Sequence, residues 1–171
     1  MDGPTLRARQ APLKAAYRQT PARATVWLQA EGALEPEAIA CRVPTPAGAV
    51  RAGLHEATGG DGTTACSGEM LLQALVACAG VTLAAVGTAM GIPLRGGRVR
   101  AKGEWDARGT LGVGTDAPVG FRSIQLEFEL DSDALPEQLD KLLQLTERYC
   151  VVFQTLRHPP AITSAIRSIA G

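Results

Sequence analysis

The sequence predicts an α+β fold in which helices cover a mostly antiparallel sheet. Three observations carry that prediction. The stretch Thr63–Leu94 holds a long helix between Ser67 and Gly91, apolar or small on nearly every face, with only Gln73, Thr82 and Thr88 as polar interruptions. The stretch FRSIQLEFEL alternates Ile124, Leu126, Phe128 and Leu130 with Ser123, Gln125, Glu127 and Glu129, the period of a half-buried strand. Pro136 then opens a second helix that sets Leu139, Leu142, Leu143 and Thr146 inward.

The totals suit one domain with an appendage: a helical arm over residues 1–21 and a single domain over residues 22–171. Hydrophobic residues make up 46% of the chain but aromatics only 4%, so the core is aliphatic and Ala-rich. Lys plus Arg equal Asp plus Glu at 17 each, a balance that points to neither nucleic acid nor an anionic membrane as partner. Near-zero net charge also gives little self-repulsion against oligomerisation. The N-terminus carries Arg7, Arg9, Lys14 and Arg18 without the continuous apolar run of a secretory signal. Four cysteines in that setting read as thiols in a reducing compartment, which makes a cytoplasmic protein the expectation.

Taken in order, residues 1–20 form a short amphipathic helix begun by Pro12 and ended by Pro21. Ala22–Gln29 alternates as a strand, and Ala38–Val43 is placed to pair with it across a turn at Gly32–Pro36. Pro44 and Pro46 break the pattern before a third short strand over Ala47–Leu54. The link HEATGGDGTT has small residues but no phosphate-loop spacing, so it reads as a turn that delivers the chain to the long helix.

That helix has Ser67 as its expected N-cap, Glu69 in the first turn, and Gly91 with Pro93 as its stop. Its length would cross a bilayer. Against a membrane span, it is rich in Ala and Gly and lacks Trp, Tyr, Lys or Arg anchors at its ends. It is expected to be buried in protein, partly against a second copy. Arg98–Asp106 and Phe121–Leu130 follow as strands around a long loop, then the second helix ends near ERYC. Residues 161–169 suit either a helix or an edge strand.

The chemistry rests on the cysteines. Cys41, Cys66, Cys78 and Cys150 show no CxxC pairing, which gives a zinc site and any other cofactor little support. Cys78 lies in the middle of the long helix and Cys150 just after the helix that must pack on it. Two such thiols can reduce a peroxide through a sulfenic acid and then a disulfide; singly, each is an ordinary small core residue. Cys78 is too far into its helix to feel the positive end, so a reactive thiolate there needs a nearby cation. Glu69 precedes Cys78 by 2.5 turns and so lies on the opposite face, roughly 13.5 Å away along the axis.

The segments CSGEMLLQALVACAGVTLAAV and LTERYCVVFQTLR resemble the OsmC/Ohr family, osmotically inducible protein C and organic hydroperoxide resistance protein. The likeness extends over about residues 22–165 and follows the expected order of elements. It implies an OsmC-like fold: antiparallel sheets with two main helices, one long and buried, in an intertwined homodimer. It also implies thiol-dependent reduction of organic hydroperoxides, with Cys78 peroxidatic, Cys150 resolving, and a dithiol reductant, lipoyl-type in the Ohr branch. The family glutamate carries over to Glu69. The family's orienting arginine has no clear counterpart, and Arg42 or Arg51 is the candidate, with Arg42 chosen.

The sequence departs from the Ohr pattern. The turn AEGALEPE has no arginine, Val151 stands where Pro usually follows the second cysteine, and Ser67-Gly68 replaces the Pro before the first helix. These features place it in an OsmC-like branch outside Ohr proper. The competing readings are a non-catalytic dimer that binds a small apolar ligand at the subunit interface, and a structural module whose cysteines are incidental. Cys66 and His55 are expected to be structural.

Overall fold

The structure, a computed structural model, describes residues 1–168. The chain opens with α1 (Gly3–Gln19), capped by Asp2, whose Oδ1 accepts from the Thr5 N–H at 2.8 Å. Pro4 occupies the first turn, where a missing N–H costs nothing, and Pro12, expected at the helix start, lies inside the helix instead. The arm rests on the C-terminal part of the long helix, so close that a Cβ on Gly3 would come within 3.1 Å of the Thr88 carbonyl.

The strand expected over Ala22–Gln29 is not formed. Pro21–Ala24 is a 3-10 turn, and residues 25–32 have no regular structure, with Trp27 92% exposed. An alternating pattern makes a strand only when an edge supplies ladder partners, and within this chain that edge is taken by β1 (Ala33–Glu35). β1 pairs antiparallel with β2 (Ala40–Thr45), and β2 with β3 (Gly48–Gly53). β2 runs straight through Pro44, contrary to the expected break there. β1 covers only Ala40–Arg42, so the edge of β2 beside Pro44 is open and a missing donor is tolerated. A parallel bridge from β3 to β4 (Ala65–Cys66) completes this four-stranded sheet and aims the chain into the long helix.

That helix is α2 (Ser67–Met90). Cys66 holds the N-cap position expected of Ser67, which is the first helical residue. At the other end Gly91 adopts φ 71°, and the Ile92 N–H reaches back to the Gly87 carbonyl at 2.9 Å. Gly87 also lets Leu94 pack closely on the helix: a Cβ there would come within 2.8 Å of the Leu94 side chain.

Burial on α2 follows one stripe, Leu75, Ala79, Leu83 and Gly87, against which strand 96–104 and helices 136–149 and 151–157 pack. The opposite stripe, Ala74, Ala77, Val81 and Ala84, is uncovered within one chain, and Val81 is 73% exposed. α2 is thus long and apolar enough to cross a membrane, yet it is folded into the body along one side.

β5 (Gly96–Glu104) and β6 (Ser123–Asp131) form a two-stranded antiparallel sheet, in register from Gly96↔Asp131 to Glu104↔Ser123. The inward residues of β6 are Ile124, Leu126, Phe128 and Leu130, as the alternation requires. The intervening loop carries a short helix, α3 (Ala107–Leu111), that the sequence reading did not include. α4 (Pro136–Tyr149) starts at the expected proline, with Gln138 Oε1 accepting the Leu135 N–H at 3.0 Å. It buries Leu142 against Leu83 and Ile92, and Phe128, Leu130 and Leu139 close around them. A further helix, α5 (Val151–Arg157), follows after a single residue. Residues 161–168 form neither the helix nor the strand considered for 161–169, and Ile169 lies outside the described residues.

Candidate active site: two thiols at a helix junction

Cys150 is the residue between α4 and α5. Its backbone is extended (φ −75°, ψ 110°), while its N–H still bonds the Thr146 carbonyl at 2.9 Å and completes α4. Its Sγ accepts from the Phe153 N–H at 3.5 Å and so caps α5. A cysteine cap is not among the usual start signals, and so α5 escaped the sequence reading. The only sign of it was the helix-compatible run VVFQTLR beyond the cysteine.

Cys78 lies on α2 at the boundary between its buried and uncovered stripes, half-buried. The packing of α5 on α2 brings the two cysteines together. Burial pushes the Cys78 thiol up, but hydrogen bonds outweigh it and hold the thiol below its ordinary pKa. They come from the Val152 N–H, the Cys150 thiol, the Val151 N–H and the Thr82 hydroxyl. Cys150 moves the other way. Burial raises it most, the Phe153 N–H opposes that, and the neighbouring Cys78 sulfur raises it further. It is buried at 1% exposure. Both thiols are free. The fold thus sets a thiol of lowered pKa beside one of raised pKa.

The sequence reading sought a cation beside Cys78; among the described residues no cation acts on it, and backbone amides and a hydroxyl act instead. Sequence reasoning missed Thr82, although its position one turn after Cys78 was the available signal. Arg42 sits on the four-stranded sheet opposite Arg51, and both are held by Glu35. Arg42 Nε lies 2.8 Å from its Oε1, and Arg51 Nε lies 2.6 Å from its Oε2. Bonds to Arg51 first and Arg42 second keep the Glu35 pKa low. Glu69 stands on the opposite face of α2 from Cys78. One chain brings together Cys78 and Cys150, but neither Glu69 nor Arg42 with them.

Two hollows flank α2. One, of about 460 Å3, opens between α2, β6, α4 and α5 and is walled by Leu75, Leu126, Phe128, Leu143, Phe153 and Leu156. Arg122, Glu147 and Arg157 line it as well, so it is mixed in polarity; neither thiol lines it, although Leu75 is one turn before Cys78 and Phe153 one turn after Cys150. The other, of about 510 Å3, lies at the start of α2 and includes Cys66, His55 and Glu69. Cys41, the fourth thiol, pairs across strands with Ala52 and packs on Gly32.

Residues 60–165 match the family model described as OsmC-like protein. No curated protein sequence matches the chain. Solved structures share its fold. A crystal structure of an OsmC-like protein from Mycoplasma pneumoniae superposes with a TM-score of 0.64 at 16% identity, covering 78% of this chain and 89% of that one. An organic hydroperoxide resistance protein OsmC from Legionella pneumophila gives 0.61 at 13%, covering 78% and 93%. An organic hydroperoxide resistance protein from Elizabethkingia anophelis gives 0.58 at 14%, covering 79% and 92%.

Proposed function

From the premise that this chain belongs to the OsmC-like protein family, we propose that it is a thiol-dependent peroxidase acting on organic hydroperoxides. The observation that carries the proposal is the Cys78–Cys150 pair, in which hydrogen bonding favours thiolate on one sulfur and burial favours thiol on the other. The names of the Legionella and Elizabethkingia proteins point to the same chemistry in relatives of this fold.

The Cys78 thiolate attacks the distal oxygen of the hydroperoxide, the O–O bond breaks, and the alkoxide leaves as the alcohol after taking a proton. Cys78 is now a sulfenic acid, oxidised by two electrons. Cys150 gives up its proton and attacks that sulfur, water leaves, and the Cys78–Cys150 disulfide forms. A dithiol reductant returns both sulfurs to thiols by exchange. The groove that Leu75, Phe128 and Phe153 share with Arg122 and Arg157 begins one helical turn from each cysteine in sequence, and its apolar wall would hold the organic part of a substrate, which hydrogen peroxide lacks.

The working unit we propose is a homodimer in the cytoplasm, because the Ala74–Ala77–Val81–Ala84 stripe leaves an apolar helix face open to water. Glu69 and Arg42 join the chemistry only if a second chain brings them to the thiols. Intact-mass analysis after addition of one equivalent of cumene hydroperoxide tests the enzyme. Loss of two hydrogens per chain, mapped to Cys78 and Cys150, is expected. Thiols unchanged by the peroxide would instead favour a ligand-binding member of the fold, for which the groove between α2, β6, α4 and α5 is the observation.

A further inference from the structure

α4 and α5 come close to being one helix. The chain is helical on both sides of Cys150, and its ψ of 110° is what interrupts them. In an unbroken helix the Val151 N–H would bond the Glu147 carbonyl, and the Val152 N–H the Arg148 carbonyl. Neither bond is made. The last bond of α4 runs from the Cys150 N–H to the Thr146 carbonyl, and the first of the same kind in α5 from the Gln154 N–H to the Cys150 carbonyl, both at 2.9 Å. The Phe153 N–H goes to Cys150 Sγ at 3.5 Å. That leaves the amides of Val151 and Val152 without a helical acceptor, and both act on Cys78 across the contact of α5 with α2.

A break of this kind strands carbonyls as well as amides. The Glu147 carbonyl is the one that the Val151 N–H has left. Gln154 supplies the replacement: its Nε2 donates to the Glu147 carbonyl at 2.8 Å, in a half-buried setting. A carbonyl only accepts, so the amide nitrogen of Gln154 is the end that faces it. The bond spans seven residues and ties the second turn of α5 to the last turn of α4. Without it, the carbonyl would recover a partner by closing the helix onto the Val151 N–H. Closure would also turn the Val152 N–H toward Arg148, so Cys78 would lose both amides together. A side-chain donor here takes the place of a backbone donor.

We propose that Gln154 is a positioning residue for the reactive sulfur: its bond to the Glu147 carbonyl holds the break at Cys150 open and keeps the Val151 and Val152 N–H groups directed at Cys78. The inference rests on the reading of Cys78 as the sulfur that reacts. Gln154 acts through the backbone of α5, not on the sulfur itself. The titratable group that faces Cys78 from this junction is Cys150, and the Thr82 hydroxyl faces it from α2. Neither is altered in the variants below.

Gln154→Met keeps the length and bulk of the side chain and removes the donor. Alkylation of Cys78 by iodoacetamide is followed from pH 6 to 10, together with single-turnover reaction with cumene hydroperoxide. The variant should alkylate at a pH about one unit higher than wild type. Its peroxide rate should fall about three- to tenfold at pH 6 and converge with wild type at pH 10, where Cys78 is ionised in both. Gln154→Asn, one methylene too short to reach the carbonyl, should shift in the same direction and serves if the methionine impairs folding. Val151→Pro provides the background that separates positioning from packing. Val151 is 68% exposed and begins α5, where proline is tolerated, and the extended Cys150 before it suits a following proline. Proline has no N–H to return to Glu147, so the break stands there without Gln154. Val151→Pro alone loses one amide and should shift alkylation less than Gln154→Met does. Adding Gln154→Met to it should move the alkylation pH by under about 0.2 units. An unchanged alkylation pH in Gln154→Met, or an equal effect of that substitution with valine and with proline at position 151, would overturn the proposal. Wild type that alkylates at low pH but leaves cumene hydroperoxide unreduced would sink the peroxidase reading alone, since alkylation still tests Gln154.

Discussion

Cys78 and Cys150 are neighbours across the contact of α2 with α5, and the fold moves their acidities in opposite directions. A pH prediction follows. Alkylation by iodoacetamide in limiting amounts should modify Cys78 below the ordinary thiol range while Cys150 stays unmodified. The stability profile has a sign that can be worked out. Because the Cys78 pKa is lowered by folding, the unfolded chain binds more protons between its folded and unfolded values. Stability therefore rises with pH through that window, and the contribution is lost as pH falls through the folded value. For Cys150, whose pKa is raised, stability falls as pH climbs above the unfolded value. Urea midpoints measured from pH 6 to 10 should lose the rising limb in Cys78→Ser. A profile identical to wild type would show that the thiolate is not favoured by the native state.

Replacement of either thiol should separate their roles. Cys78→Ser is expected to reduce peroxide consumption by at least about a hundredfold, because a serine hydroxyl is not deprotonated at neutral pH and cannot take up the peroxide oxygen as a thiolate does. Cys150→Ser should give one turnover and then gain the mass of sulfinic acid on Cys78, since an unresolved sulfenic acid climbs the oxidation ladder. Stopped-flow peroxide consumption with mass spectrometry reads both, and equal rates in wild type and Cys78→Ser would end the assignment.

Thr82→Val removes a hydroxyl from Cys78 and keeps the side-chain shape. With one donor lost, the thiolate is less favoured, and the rate with peroxide at pH 7 should fall about three- to tenfold. The pH at which Cys78 alkylates should shift upward with it, whereas the melting temperature should hardly move. A rate loss without that shift would mean that Thr82 acts by packing alone.

Both cysteines were legible as a pair because Cys78 lies in a helix that periodicity makes obvious, and Cys150 follows a helix opened by Pro136. What could not be read is how Cys78 is activated. The Val151 and Val152 amides belong to α5, a seven-residue helix whose cap is Cys150 itself, and backbone donors leave no trace in residue types. The reading therefore sought an arginine. The β5–β6 register followed from alternation, whereas residues 25–32 show the limit of that signal. Thr25, Val26 and Trp27 have strand-forming side chains, but strand formation is a property of an edge as well as of a segment. The hollow at the start of α2 was invisible for a related reason. Of its wall residues, His55 comes from the link between β3 and β4, Trp105 and Phe121 from the two ends of the β5–β6 loop, and they meet only through the fold.

Core packing can be tested at Leu142, which is fully buried against Leu83 and Ile92. Leu142→Ala should cost about 2–5 kcal/mol through lost transfer energy and the cavity left behind. Its Cα also lies two turns before Cys150, so a loosened α4 should slow disulfide formation in oxidised protein more than it slows the first reaction of Cys78. Chemical denaturation and rapid-quench mass analysis give the two numbers, and a cost under about 0.5 kcal/mol would show that α4 is not part of the main core.

The uncovered stripe of α2 yields the last prediction. In one chain, Ala74, Ala77, Val81 and Ala84 face water along a single side of the helix, and Val81 is 73% exposed. Substituting an exposed valine on a helix by glutamate is nearly free in a monomer, since glutamate has the higher helix propensity. In a dimer that buries this stripe, the same change places two carboxylates near a two-fold axis in apolar surroundings, which association cannot tolerate. Light scattering should therefore find wild type at twice 17.8 kDa and Val81→Glu at the monomer mass, with circular dichroism showing α2 retained in both. Thr63→Glu, outside the stripe, controls for added charge and should remain dimeric. Wild type at the monomer mass with full peroxide turnover would refute the dimer as the working unit. If Val81→Glu remains dimeric, the interface must lie elsewhere on the chain.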